Sequence, residues 1–564
     1  MTLGETITNE EKKLEEDKNK TKYWKRWGPY LGERQWATVR EDYSDNGDAW
    51  SAFPFEHSRS RVYRWGEDGL AGVSDNHQLI CLSLGLWNEK DDILKEKAFG
   101  LTNSQGNHGE DVKELYYYLD NTPTHSYMKY LYKYPTKKYP YKELIDQNAN
   151  RSRQELEFEI TDIKDLFKEN NYFDILFEMA KSNDDPDELY FRITATNKSN
   201  EPAPLHIIPN ILFRNTWSWD SNDPTETERP KFSKEFNDSN YSIKIDHYKL
   251  GNRRLIFAPA PGVTENSPDI EPKLLFTENE SNLKRLYDVE NKFKYVKDGF
   301  HDYIIDEVED AVNPENFGTK ACGWFQFDEI PPNENVTIRY KLTPIKDSTE
   351  EENSEIEIDE EEFDLVFEQR SNDADEFYWN VSPLPIPDEL RNVQRQAFAG
   401  LLWTKQFYNF VHDAWYHGDT NADISPTPNR AGGRNKEWKH LYIEDILSLP
   451  DKWEYPFFAA WDSAFHCIPL SMIDPTFAKK QLDLLTREWY MHPNGQIPAY
   501  EWNFSDVNPP VHAWSAFRIY KLEKKFYKKA DREFLERVFQ KLLLNFTWWV
   551  NIKDNLNHYQ LVDH

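Results

Sequence analysis

The stretch PDELRNVQRQAFAGLLWTKQFYNFVHDAW, residues 387–415, marks a change of periodicity in the chain. Leu390, Val393, Ala397, Leu401, Tyr408 and Val411 recur at helical spacing and fall on one face. Pro387 suits a first helical turn, where its missing N–H costs nothing. The same periodicity continues downstream and predicts further helices at 457–472, 475–491, 511–526 and 530–552. Helix follows helix with long Gly-, Pro- and Asn-bearing loops between, the longest being 417–455. Such a series suggests a bundle, solenoid or toroid.

Upstream the period is two. ELYFRITATNK (188–198) sets Leu189, Phe191, Ile193 and Ala195 against Tyr190, Arg192 and Thr194. RQELEFEITDI (153–163) and VTIRYKL (336–342) alternate in the same way. Alternation buries one strand face and wets the other, so residues 23–345 are expected to form an antiparallel β-sandwich. Residues 1–22 are charged and nearly free of large apolar groups, and are expected to be a disordered tail. The acidic run DSTEEENSEIEIDEEEF (348–364) places a solvated linker at 346–384, with a helical domain over 385–564.

Charge bounds the partners. There are 68 basic against 99 acidic residues, a net of −31, with no basic stripe. Nucleic-acid binding rests on counterion release by Lys and Arg and is therefore excluded. No apolar run reaches membrane-spanning length, and the N-terminus lacks an apolar leader. Cys81, Cys322 and Cys467 lie too far apart for a CxxC metal pair or a disulfide framework. Together these predict a cytoplasmic protein with no membrane partner. Oligomeric state is left open.

Two segments carry candidate chemistry: DKWEYPFFAAWDSAFH (451–466) and HPNGQIPAYEWNFSDVNPPVHAW (492–514). Both mix aromatic rings with carboxylates and amides. An aromatic face covers the apolar side of a pyranose, and carboxylates take its hydroxyls pairwise. Asp462 sits near a helix start among Phe457, Phe458, Trp461 and Phe465, which would wall a pocket. An ordinary polar residue beside core aromatics is an equally good reading of that spacing. Glu501, with Trp502, Asn503, Asp506 and Asn508, lies on a loop stiffened by Pro509 and Pro510; a structural loop is the alternative. Asp462 and Glu501 could form an acid/base pair, but spacing alone does not give their separation.

The histidines show no HExxH, and the cluster His108, Glu110, Asp111 is too loose to assign a metal. No Walker loop, dinucleotide fingerprint or GxSxG is present, so no cofactor is expected.

At RQWATVREDYS (34–44), RVYRWGEDGLAG (61–72), LTNSQGNHGEDVKELYYYLDNTPTHSYMKYLYKYP (101–135), LRNVQRQAFAGLLWTKQF, AAWDSAFH, GQIPAYEWNFSDVNPPVHAW and TWWV the chain resembles glycoside hydrolase family 63. That family includes processing α-glucosidase I and bacterial glucosidases and glucosyl- or mannosylglycerate hydrolases, and the resemblance is to its large cytosolic fungal and bacterial subgroup. It implies a β-sandwich followed by an (α/α)6 toroid and an inverting, exo-acting α-glycosidase of oligosaccharides or small glycosides. Carried over by position, Asp462 would hold hydroxyls of the innermost sugar. Phe458, Trp461 and Phe465 would form its wall, and Glu501, Trp502, Asn503 and Asn508 would complete the subsite.

None of these matches the family's acid or base, which follow the helix containing TWWV (547–550). Both are expected beyond His564, with no catalytic residue in this chain. The chain is thus expected to be a C-terminally truncated, inactive portion with a partial toroid. A non-catalytic sugar-binding or scaffold protein on the same fold is the alternative; trehalases and glucoamylases lack the long N-terminal blocks. Arg40, Glu41, Asp42, Arg61, Arg64, Glu67 and Asp68 form a dense charged group, read as a solvated face or structural ion pairs, or else as a loop over the toroid mouth.

Overall fold

The computed structural model describes residues 7–34, 53–102, 104–107, 111–218, 229–235, 241–264, 267–345, 358–382, 385–417, 434–453 and 457–555. Arg40, Glu41, Asp42, His108, Glu110 and His564 lie outside them.

Alternation at 188–198 produces the strand Leu189–Asn197, where Phe191, Ile193 and Ala195 are buried while Arg192 and Thr194 remain half-exposed. It pairs antiparallel with Tyr172–Lys181 on one side and Asn335–Pro344 on the other. These strands belong to a nine-stranded sheet. Its spatial order is Phe317–Gly318, Lys231–Lys234, Tyr241–Asp246, Arg253–Phe257, Asn335–Pro344, Leu189–Asn197, Tyr172–Lys181, Tyr127–Pro135, Leu115–Asn121. A second sheet of six runs Trp27–Gly28, Leu70–Asp75, Ile80–Trp87, Ala203–Phe213, Lys320–Ile330, Lys273–Thr277. Leu84, Ile207 and Phe325 of the smaller sheet share one apolar cluster with Tyr132, Phe177, Ile193 and Tyr340 of the larger. Burying both inner faces in that common core is what holds the two sheets together.

Residues 153–163 alternate but form no strand. Leu156 is exposed, and only a 3-10 turn, Ile160–Asp162, is present. The charged N-terminal segment is not a frayed tail over its described part: helix α1 spans Asn9–Lys18. A capping box joins Thr8 and Glu11 at its start. Glu10 is buried and accepts from the Thr124 amide at 2.9 Å, Thr124 Oγ1 at 2.6 Å and Ser126 Oγ at 2.8 Å. Lys13 reaches Asp373 at 2.6 Å. Charge here is consumed by specific partners, so the absence of apolar residues does not prevent docking.

The expected linker is likewise a helix where it is described. α2, Glu360–Val381, is capped by Asp359 and lays Phe363 and Phe367 on Tyr127 and Tyr190 of the larger sheet. The glutamates of its first turn, Glu360, Glu361 and Glu362, are exposed and conceal an apolar stripe.

Helix α3 spans Asp388–Trp403 with Pro387 as its N-cap. It does not continue to Trp415. Lys405–Val411 is a strand paired with Tyr442–Ser448, so Tyr408 and Val411 belong to a two-stranded ribbon. Leu390 and Val393, expected on the packed face, are 56% and 62% exposed. The buried side is Phe398, Ala399, Leu402 and Trp403, with Trp403 stacked on Tyr118 of the sandwich at 5.4 Å.

After a short helix, His412–His417, four longer ones follow among the described residues: α4, Ala460–Leu470; α5, Pro475–Leu484; α6, Val511–Phe526; and α7, Arg532–Asn555. α3 packs on α4, α4 on α5 and α6, and α6 on α7. Their core contains Phe377, Phe398, Cys467, Leu470, Ile519 and Val538.

Residues 23–34 strap the sandwich to the helical part. Lys181 Nζ donates to the carbonyls of Trp24 and Trp27, both at 2.6 Å, and Lys452 Nζ to those of Pro29 and Leu31 at 2.6 and 2.9 Å. Within the charged group at 61–68, Asp68 pairs with Lys97, and Glu67 with Lys297 at 3.3 Å. These are buried structural ion pairs.

Candidate functional site

α4 starts without a side-chain cap; Ala459 holds an extended backbone before it. Its entry is fixed by the neighbouring loop instead. The Ala460 amide donates to the Ala499 carbonyl at 2.9 Å, and the Glu501 amide to the Phe458 carbonyl at 3.2 Å. The two sequence segments singled out for their chemistry are therefore stitched together at the backbone.

Ala464, Cys467 and Leu470 face the helical core, Ser463 is buried, and Ala460 packs into a separate apolar cluster with Phe410 and Phe458. Helical geometry then turns Trp461 and Phe465, one turn apart, to the opposite side, where they are 40% and 42% exposed. Their rings lie 5.9 Å apart, and Phe465 lies 5.8 Å from Trp514 of α6. Asp462, half-buried, stands in the first turn of α4, where the helix dipole favours a carboxylate. Burial nevertheless pushes its carboxyl above the ordinary value, offset in part by a backbone hydrogen bond and by His466 one turn on. Burial in turn pushes the His466 imidazole down; its Nδ1 lies 3.1 Å from Ser448 Oγ.

Two clefts flank these rings. A narrow one of about 40 Å³ is lined by Trp461, Asp506, Asn508, His512 and Trp548, among others. An open one of about 350 Å³ is lined by Phe465, Pro509, Pro510, Val511 and Trp514. The loop before them is held by Gly495, whose φ of +94° suits glycine and where an added Cβ would collide with the Leu544 carbonyl oxygen. Asn545 Nδ2 of α7 donates to the Gly495 carbonyl at 2.9 Å.

The remaining expected residues have other surroundings. Phe458 is buried against Tyr408, Tyr490 and Phe504, a core ring rather than a wall of the cleft. Glu501 is 4% exposed and accepts the Tyr408 hydroxyl. Its backbone carbonyl accepts from Asn435 Nδ2 at 2.8 Å and Arg434 Nη1 at 3.0 Å. Trp502 packs edge-on to Phe457 at 5.8 Å and lies under the Arg434 guanidinium at 4.9 Å. Asn503 is exposed and accepts the Ser505 amide at 3.2 Å. Asn508 Nδ2 donates to the Ala499 carbonyl at 3.3 Å.

The structure thus brings Trp461 and Asn508 to the narrow cleft and Phe465 to the open one, leaves Asp462 lining neither of the two, and turns Phe458 and the Glu501 side chain inward. Tyr408, Arg434 and Asn435 are partners of this loop that the sequence does not announce. A helical pattern hides Tyr408, and Asn435, with φ +57°, carries no local motif. The acid and base expected beyond His564 would fall outside the described residues, which end at 555.

Among the described residues one group, His301, Asp302 and Asp306, brings ligand-type atoms within 4.8 Å of one another. Arg285 already binds Asp302 at 2.8 Å and Arg59 lies 3.2 Å from His301, so guanidinium groups occupy the place a cation would take. No described helix is long and apolar enough to cross a membrane.

Residues 455–558, which span both clefts, match the family model described as the mannosylglycerate hydrolase MGH1-like glycoside hydrolase domain. This segment is glycoside-hydrolase-like. Over 567 aligned residues the chain is 61% identical to the uncharacterized protein YMR196W of Saccharomyces cerevisiae, covering 97% of this chain and 52% of that one. The chain therefore spans about half the length of the curated relative it matches. Among solved structures, similarity is found to a family GH92 alpha-mannosidase from Bacteroides thetaiotaomicron, at 11% identity and a TM-score of 0.25, over 86% of this chain and 63% of that one. A family GH92 inverting mannosidase from the same organism matches at 10% identity and a TM-score of 0.25, over 92% and 64%. Similarity at that level carries no argument about the site.

Proposed function

We propose that the α4 face bearing Trp461, Asp462 and Phe465 binds the terminal sugar of an α-glycoside, as part of an inverting, exo-acting glycosidase of the α-glucosidase type. One observation supports this: a half-buried carboxylate in the first turn of a helix whose two outward aromatic rings border clefts beside an amide- and proline-bearing loop. Apolar ring faces take the C–H side of the pyranose, and an ionised Asp462 accepts two of its hydroxyls. The glycoside-hydrolase-like match over the same residues supports a sugar ligand.

In this reading neither Asp462 nor Glu501 transfers a proton. Inversion needs an acid above the scissile oxygen and a base holding water on the opposite face. Glu501 is committed to Tyr408 and acts by shaping the loop through its backbone. The reading puts acid and base beyond His564, in further helices of an (α/α)6 toroid. Glucosides are the favoured substrates, with mannosides such as those named for the matching family as the nearest competitor.

Turnover of 4-nitrophenyl α-glucoside by this 564-residue chain tests the division of labour. No release of nitrophenolate is expected. Release that disappears in Asp462→Asn would put the catalytic group inside the chain and overturn it. The inward Glu501 favours, as a second reading, a sugar-binding or scaffold protein without hydrolysis.

A further inference from the structure

The two clefts beside α4 share one wall. Pro509 and Pro510 line both, yet the chemistry on either side of them differs. The narrow cleft carries Asp506 and Asn508, groups that exchange hydrogen bonds with hydroxyls. Among the described residues the open cleft is lined by Phe465, Pro509, Pro510, Val511 and Trp514, with no carboxylate, amide, hydroxyl or cationic side chain. Its backbone is equally poor in donors. Proline has no N–H, and the Val511 amide is spent on the Pro509 carbonyl at 2.8 Å. Trp514 follows Val511 by one turn of α6, so both reach the same side of that helix. The rings of Phe465 and Trp514 meet at 63°, which makes a corner rather than a flat shelf. Single apolar residues on a surface need no explanation, whereas two rings, two prolines and a valine converging on one concavity do.

We infer that the open cleft is an aglycone pocket, and that the glycosides taken at the α4 face carry an apolar, ring-sized aglycone in place of a further sugar; this rests on the sugar reading proposed above. A second pyranose can lay its C–H side on either ring, but the hydroxyls around its rim would leave water and find no partner here, which is unfavourable. A flat carbocycle has no such rim. It meets the face of one ring and the edge of the other, the contacts that aromatic groups favour. The volume of about 350 Å³ agrees, since ligand pockets begin at about 300 Å³. Phe465 supplies the continuity: its ring lies 5.9 Å from Trp461 of the narrow cleft and 5.8 Å from Trp514 of the open one. A ligand polar at one end and apolar at the other thus spans the shared prolines.

The test is isothermal titration of the 564-residue chain with 1-naphthyl and methyl glycosides, each as the α-glucoside and the α-mannoside, with maltose, and with 1-naphthol alone. A naphthyl glycoside should bind at least about tenfold more tightly than its methyl counterpart. Maltose should bind no more tightly than methyl α-glucoside. Trp514→Ala should erase the naphthyl advantage and leave methyl glycoside affinity within about twofold. Trp514 is 53% exposed, so this variant should melt with the wild type. Equal affinity for naphthyl and methyl glycosides, tighter binding of maltose than of the naphthyl glucoside, or a naphthyl advantage that survives Trp514→Ala overturns the inference. Failure of the sugar reading gives a different pattern: 1-naphthol binds and depends on Trp514, while no methyl glycoside binds at all. That pattern keeps an apolar pocket and overturns its role as an aglycone site.

Discussion

The amide of Ala460 donates to the carbonyl of Ala499 at 2.9 Å, locking the first turn of α4 to the loop that ends in Pro509 and Pro510. This bond holds the turn that bears Asp462 beside Asn508, although 46 positions separate the two in sequence. The clefts are thus defined by backbone before any side chain contributes.

Asp462 must be ionised to accept two hydroxyls, and burial raises its carboxyl above the ordinary range. Sugar affinity should therefore fall as pH falls, starting above the usual carboxylate value of about 3.9. The Asp462→Asn variant should show weak, pH-independent affinity. Because removing a partly desolvated charge costs the fold nothing, its melting temperature at pH 7 should equal or exceed that of wild type. A binding titration from pH 4 to 8 on both proteins checks the sign.

Tyr408→Phe removes the hydroxyl that bonds the buried Glu501 carboxylate. It should cost about 1 kcal/mol in urea unfolding, the usual net worth of one such hydrogen bond. A cycle with Glu501→Gln should show coupling above about 0.5 kcal/mol. Additive effects would mean that the pair does not hold the loop.

How far the sequence reveals this fold depends on where partners lie. Phe191, Ile193 and Ala195 announce their strand because both its neighbours are regular and one face is dry. Leu156 sits in equally regular alternation, but among the described residues no strand pairs with 153–163, so its period carries no burial. Lys405–Val411 continues the helical spacing of 390–401, yet pairing with Tyr442–Ser448 makes it a strand. Thr8 and Glu11 display a capping box in the sequence, masked by the charge around it. In α2 the run of glutamates conceals Phe363, Phe367, Ala374 and Phe377 at helical spacing. The outward turn of Trp461 and Phe465 is legible because one helical turn sets it. The inward turn of Glu501 is not, since it depends on Tyr408, 93 residues earlier.

Lys25 Nζ lies 2.6 Å from Asp474 Oδ2, joining the N-terminal strap to the cap of α5. Burial alone would raise the Asp474 carboxyl; the charges of Lys25 and Lys405, with bonds from Lys25 and the Phe477 amide, hold it below the ordinary value instead. A depressed carboxyl adds stability above the unfolded pKa of about 3.9, lost as pH falls through the folded value. Asp474→Asn keeps an N-cap acceptor but removes the charge. It should lower stability at pH 7 by about 3 kcal/mol and flatten the loss below about pH 4. Chemical denaturation at pH 7 and pH 3 reads both effects.

Glu10→Ala leaves the Thr124 amide and the hydroxyls of Thr124 and Ser126 without their acceptor. Destabilisation of about 2 kcal/mol is expected, together with faster proteolysis within residues 7–22. Unchanged cleavage would show that α1 is not docked through this carboxylate.

Isothermal titration of the purified chain with methyl α-glucoside and methyl α-mannoside, beside Asp462→Asn and Trp461→Ala, bears most directly on the sugar-gripping face. The account requires saturable binding of at least one glycoside, weakened about tenfold or more in each variant with melting temperatures unchanged. Absence of binding to the wild-type chain, or equal affinity in Asp462→Asn, would contradict it.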